Sequence, residues 1–241
     1  MKRLLSILAM AVLMSACVKP DEPEQPTVTR FSVLGDSFSS FAGTVDPESN
    51  DIWHYENIGV TSAEQMWWHK VATEMGWVLE KNNSFSGSLI CNLDVSNYYG
   101  PHSYLRRMDN LGNPDVIFIF GGTNDLYNRA SLGDFVYSDW TEEQLCTFRP
   151  AMAYLLDAMK QQYPKAKLYF LVDMNLCIND TSIDGETRQA FLDSMHQIAS
   201  HYGVECIDLF NIHKSSWHPD TAGQNDIYRQ VLEAIVADFN V

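Results

Sequence analysis

The chain has 241 residues, of which 46% are hydrophobic, 12% aromatic and 20% charged, a composition that excludes intrinsic disorder and suits one large α/β domain or two small ones. Sixteen Lys and Arg against 31 Asp and Glu leave a formal net charge of −15, which argues against nucleic-acid partners and against a polybasic membrane patch. No repeat with a period of about 20–50 residues is visible, so solenoids and propellers are excluded too.

The chain opens with Lys2 and Arg3, an apolar run from Leu4 to Met14, and then Ser15, Ala16 and Cys17. A basic start, a short apolar stretch and small residues before a cut site predict a secretory signal peptide over 1–16, and the run is too short for a membrane-spanning helix of about 20 residues. Small, small, Cys at the end of such a run resembles a bacterial lipobox. That resemblance implies lipidation of Cys17 and a protein held to a membrane by its anchor alone. Removing 1–16 takes away Lys2 and Arg3 but no acid, so the mature chain is more acidic still. Residues 17–29 carry three prolines and three acids after Cys17 and read as a solvated tether. Within it, Lys19, Pro20, Asp21 and Glu22 resemble the acidic tethers of exported Bacteroidetes lipoproteins. The expected location is therefore the outer membrane or cell surface, the periplasmic side being the other possibility.

From Arg30 onward the pattern is that of one α/β domain, 30–241. Phe31 to Gly35 predicts a first strand, and Ser62 to Met75 a helix stopped by Gly76. Trp77 to Lys81 predicts a second strand. Asp115 to Phe120 is a continuous apolar run, as expected of a strand buried on both faces. Glu142 to Tyr163 predicts a helix ended by Pro164, and Lys167 to Val172 the next buried strand. Gly185 to Tyr202 predicts a helix, Val204 to Leu209 a last strand, and Thr221 to Phe239 a closing helix. Strands alternating with helices predict a single three-layer α/β/α domain with a mostly parallel sheet, whose chemistry gathers beyond the carboxyl ends of the strands.

Four polar blocks stand at or near those ends: Gly35, Asp36, Ser37; Asn82 to Gly87; Gly121 to Asp125; and Trp217 to Asp220. Each alone reads equally well as a turn or a helix cap. Together, in this order on an α/β chain, they resemble the SGNH (GDSL-type) hydrolases, whose four blocks supply Ser, Gly, Asn and His. The resemblance implies Ser37 as nucleophile and His218 as general base. It implies an oxyanion hole of Ser37 N–H, Gly87 N–H and the Asn124 amide, with Asp36 and Asp125 as accompanying acids. No metal or cofactor is implied. The residue types suit acyl transfer: a serine hydroxyl needs an imidazole to take its proton, and a glycine N–H and a neutral amide can approach a developing oxyanion.

One position departs from the pattern. Three residues before the histidine the family carries Asp, and here Ser215 stands there, leaving Ser215 itself, a backbone carbonyl or another acid such as Asp220, only two residues on, to orient the imidazole. The expected function is a serine esterase acting on short-acyl, above all acetyl, esters, with O-acylated glycans as candidate substrates. The alternative that Ser215 favours is a glycan-binding or structural lipoprotein on the same fold. The intact Ser37, Gly87, Asn124 and His218 oppose it, since a decaying site has no reason to keep all four.

No G-x-G-x-x-G, Walker loop, H-E-x-x-H or G-x-S-x-G occurs. After Cys17 there remain Cys91, Cys146, Cys177 and Cys206, which allow three complete disulfide pairings and include no CxxC. Trp53, Tyr55, Tyr98, Tyr99, Tyr127, Tyr137 and Trp140 fall in expected loops, where they either anchor the loop to the core or face a sugar. The loops Phe38 to Thr61 and Leu126 to Thr141 are expected to wall the pocket.

Overall fold

A computed structural model describes residues 28–94 and 100–239. The expected leader 1–16, Cys17, all but the last two residues of the tether 17–29, and Tyr98 and Tyr99 lie outside the described residues.

Five strands, β1 (Arg30–Gly35), β2 (Val78–Ser84), β3 (Val116–Phe120), β4 (Lys167–Asp173) and β5 (Glu205–Leu209), form one sheet in the order β2-β1-β3-β4-β5. Every neighbouring pair is parallel. The sheet is buried on both faces, and alternate residues of β3 show how. Val116, Phe118 and Phe120 pack in one core with Trp67 and Val71 of α1 (Trp67–Met75) and Ile227, Val231 and Ile235 of α6 (Thr221–Phe239). Ile117 and Ile119 pack in the other, with α2 (Tyr104–Arg107), α4 (Phe148–Gln162) and α5 (Gly185–Tyr202). This is the three-layer α/β/α architecture, with each strand's period-two alternation feeding both cores.

The helix boundaries differ from the expected ones where capping chemistry intervenes. The segment 62–75 opens with a 3₁₀ turn, Ala63–Gln65, held by a reciprocal Ser62–Gln65 capping box, and α1 begins only at Trp67. Residues 142–147 likewise contain a separate 3₁₀ turn, Gln144–Cys146, because Pro150 lies in the first turn of α4 and cannot be preceded by further helix. In the other direction, β2 runs past Lys81 through Asn82, Asn83 and Ser84, all three buried. Hydrogen bonds pay their burial cost: Asn82 Nδ2 donates to Ser39 O, Asn83 Nδ2 to the Arg107 and Asn110 carbonyls, and Ser84 Oγ to Asn82 Oδ1.

Strand β1 lies between β2 and β3, so the chain runs from β1 to β2 on one side and then crosses back to β3 on the other. Such a switch point opens a crevice beyond the carboxyl ends of the strands, here those of β1 and β3. A short helix, α3 (Thr123–Tyr127), starts directly after β3, and a two-residue hairpin, β6 (Lys214–Ser215) with β7 (His218–Pro219), precedes α6. No helix among the described residues is long and apolar enough to cross a membrane.

Candidate active site

At that crevice one cavity of about 260 Å³ is lined by Ser37, Gly87, Asn124 and His218, together with aromatic walls from Phe38, Trp53, Tyr127 and Trp217. Four segments far apart in sequence thus deliver the four polar residues to one space.

Ser37 is the second residue after β1 and is buried, its carbonyl accepting a 2.6 Å hydrogen bond from Tyr55 Oη. Gly87 lies beyond β2 with a φ of +79°, left-handed backbone that strongly favours glycine. Asn124 sits in the first turn of α3, which begins after Gly122. That glycine has a φ of +98°, left-handed backbone in which any side chain is strained, and a Cβ there would also displace Met195 Cε, 2.3 Å away. The Asn124 amide nitrogen donates to Asp36 Oδ2 and to Ser88 O, each at 3.1 Å.

The two accompanying acids organise backbone. Asp36 Oδ1 accepts the Phe38 N–H at 2.9 Å, and its other oxygen holds Asn124. Burial pushes its carboxyl up to about 7, against the opposing pull of the Phe38 N–H and the Arg107 charge. Asp125 is wholly buried, its two oxygens accepting the Ile90 and Cys91 N–H groups at 2.9 and 3.1 Å, and burial raises its pKa as well.

Beneath the Gly87 loop lies a buried cation that sequence reasoning missed. Arg107 at the end of α2 donates to Asn83 O and Gly35 O at the ends of β2 and β1, to His102 O, and to Ser88 Oγ at 2.9 Å. Tyr104 lies 5.0 Å from the guanidinium, ring to cation. Burial pushes this guanidinium down to about 10. Its one legible signal is the paired Arg106 and Arg107 between Leu105 and Met108.

His218 is the first residue of β7 and pairs across the hairpin with Ser215, so the serine that replaces the usual acid is its ladder partner. Trp53 stacks on the imidazole, with centroids 3.6 Å apart and planes 11° from parallel, while Phe38 and Tyr55 meet it edge-on at 5.7 and 6.3 Å. Nδ1 of His218 is buried and has no hydrogen-bond partner among the described residues. Burial, and then the nearby Lys214 charge, push the imidazole down to about 4.

The two acids near the hairpin are engaged elsewhere. Asp220 Oδ2 is 2.7 Å from His213 Nδ1, and its Oδ1 accepts the Ala222 and Gly223 N–H groups at the start of α6. Asp173, at the end of β4, forms a buried ion pair with Lys214 and accepts the Asn175 N–H. The loop 38–61 does wall the cavity through Phe38 and Trp53. From 126–141 only Tyr127 reaches it, Phe135, Tyr137 and Trp140 packing on the α4–α5 core instead. Among the described residues no group of three His, Cys, Asp or Glu side chains is placed to hold a metal ion.

A family model of GDSL-like lipases/acylhydrolases matches residues 29–235, and the chain belongs to that family. Two crystal structures described as GDSL-like lipases resemble it over nearly their full length. The Bacteroides ovatus protein is 42% identical with a TM-score of 0.78, the match covering 88% of this chain and 99% of that one. The Bacteroides uniformis protein is 37% identical, again with a TM-score of 0.78, over 88% and 97%. The same fold recurs in a family two carbohydrate esterase from Clostridium thermocellum in complex with cellohexaose, at 14% identity and a TM-score of 0.61 over 90% and 66%. No curated protein matches the chain. Family membership supports a hydrolase acting on esters.

Proposed function

We propose that the protein is a serine esterase that removes short acyl groups, acetyl foremost, from carbohydrates. The observation that carries this reading is the convergence of Ser37, Gly87, Asn124 and His218 on one small cavity. In the reaction, Ser37 Oγ bonds to the acyl carbon as His218 takes the hydroxyl proton, and the carbonyl oxygen becomes an oxyanion. The Ser37 and Gly87 N–H groups and the Asn124 amide stabilise it, Asn124 exchanging one of its two present acceptors for the oxyanion. The alcohol C–O bond then breaks, His218 returns the proton to the leaving oxygen, and water releases the acyl group by the same steps in reverse.

The small cavity suits a short acyl chain, and exposed rings at its rim, Trp53, Tyr127 and Trp217, offer faces on which a sugar can stack. The carbohydrate esterase of like fold supports the same choice of alcohol. The leader and Cys17 support an exported protein tethered by a lipid.

The test is acetate release from acetylated xylan, and turnover of p-nitrophenyl acetate, by the parent protein beside Ser37→Ala. Turnover should collapse to background in the variant. Equal rates in both proteins would remove the esterase reading and favour a binding protein.

The pH profile carries a second expectation. A neutral imidazole is the base, and its ordinary pKa of about 6.5 would end activity in mildly acidic solution. Because His218 is held near 4, kcat/KM on a neutral ester should persist at pH 5 and fall only as the pH drops through about 4. Asp36 titrates near 7 in the same site, so an inflection there that vanishes in Asp36→Asn belongs to Asp36. A single loss centred near 6.5 would contradict the burial of the ring.

A further inference from the structure

The imidazole of His218 lacks what usually orients a catalytic histidine. Its Nδ1 is buried without a partner among the described residues, Ser215 stands where the acid belongs, and Asp220 and Asp173 are committed to His213 and Lys214. What the ring does have is an aromatic setting. One face lies on the Trp53 indole at 3.6 Å, nearly parallel, with Phe38 and Tyr55 set edge-on around it. The Trp53 backbone is itself held, its main-chain N–H donating to Ser40 Oγ at 3.0 Å, while the neighbouring Asp51 carbonyl accepts the Ser86 N–H beside Gly87 at 2.9 Å.

We propose that Trp53 is the positioning residue for His218, its indole face taking over both tasks of the absent carboxylate. The stack fixes the plane of the ring, so that Nε2 is presented to the cavity and to Ser37. When His218 takes the Ser37 proton, the ring becomes a cation lying on an electron-rich face, and the attraction grows as the transition state forms. A desolvated cation–π contact of this kind accelerates a step by roughly 10- to 30-fold. The nearby Lys214 charge opposes the imidazolium, which makes a compensating neutral partner the more useful. Unlike a carboxylate, an indole leaves no buried anion when the ring is neutral.

This rests on the esterase reading, so the first control is that parent turnover of p-nitrophenyl acetate depends on Ser37. If Ser37→Ala turns over as fast as the parent, the esterase reading fails before Trp53 is in question. With that dependence established, Trp53→Leu and Trp53→Phe are compared on the same ester, which carries no sugar to stack. Trp53 lies on a loop and is 37% exposed, so both variants should fold, as checked by thermal melting. Trp53→Leu, which fills space without a π face, should lower kcat by about 10- to 30-fold with KM little changed, and Trp53→Phe should recover most of it. Trp53→Leu should also move the acid limb to lower pH, since leucine still covers the ring but offers the imidazolium no π face. An unchanged kcat and limb in Trp53→Leu would overturn the proposal. So would a loss confined to KM on acetylated xylan, which would make Trp53 a sugar platform only.

Discussion

His218→Ala is expected to slow Ser37-dependent ester hydrolysis by about 10³- to 10⁴-fold, an intermediate loss with a specific origin. In serine proteases with a complete triad, deleting the histidine costs about 10⁶ in kcat and deleting the acid alone about 10⁴. An imidazole with nothing in place of its acid therefore has only about 10² left to contribute. Here the acid position is Ser215, but the ring is packed by Trp53, Phe38 and Tyr55. It should do better than a free imidazole and worse than a carboxylate-backed one. Steady-state kinetics on p-nitrophenyl acetate, referred to Ser37→Ala as the floor, give the number. A loss near 10² would mean that the aromatic packing contributes nothing. A loss near 10⁶ would mean that an acid reaches His218 during turnover.

Lys214→Met should destabilise the domain by about 3–5 kcal/mol, because it strips the counter-charge from a buried carboxylate. The Lys214 side chain is 9% exposed and that of Asp173 is fully buried, and Asp173 would be left with the Asn175 N–H as its other described donor. At about 2–4 °C per kcal/mol for a domain of this size, the melting temperature should fall by roughly 6–20 °C. Replacing both partners, Lys214→Met with Asp173→Leu, should recover most of the loss, since no charge is then buried unpaired. The functional consequence runs through the hairpin. Lys214 ties β6 to the end of β4, and its charge helps hold the His218 imidazole down. Single-variant activity should therefore fall through poorer placement of the base while the acid limb of the pH profile moves upward. A Lys214→Met protein that melts with the parent would show that Asp173 does not remain buried as an anion.

The parts of the fold legible in the sequence are those where one physical signal dominates. The apolar runs 116–120 and 167–172 could only be strands buried on both faces, and the glycines after α1 and α5 end them in the left-handed conformation a helix stop needs. The end of β2 was hidden because Asn82, Asn83 and Ser84 look like a loop. They are strand only because Ser39, Arg107 and Asn110 supply partners from elsewhere in the fold. The start of α4 was missed, because helical periodicity alone runs back to Glu142 past the boundary that Pro150, in the first turn, sets.

The site divides the same way. Its four polar residues are visible because the chain order of their blocks is itself a pattern. The groups that tune them, Arg107, Lys214, Asp173 and the stacked Trp53, come from unrelated segments and carry no local spacing. Trp53 stood out only as one loop aromatic among several, and nothing short of the folded chain distinguishes it from Tyr137 or Trp140, which pack on the core.

The four cysteines, Cys91, Cys146, Cys177 and Cys206, offered three possible pairings, yet all four are free thiols, two buried and two partly so. Burial raises the pKa of Cys91, Cys177 and Cys206, which keeps these sulfurs protonated and poor nucleophiles at neutral pH. In this thiol form no covalent cross-link among the described residues holds the fold, which rests on packing and hydrogen bonds alone. A reductant should therefore leave its melting temperature unchanged, which a thermal melt with and without dithiothreitol checks.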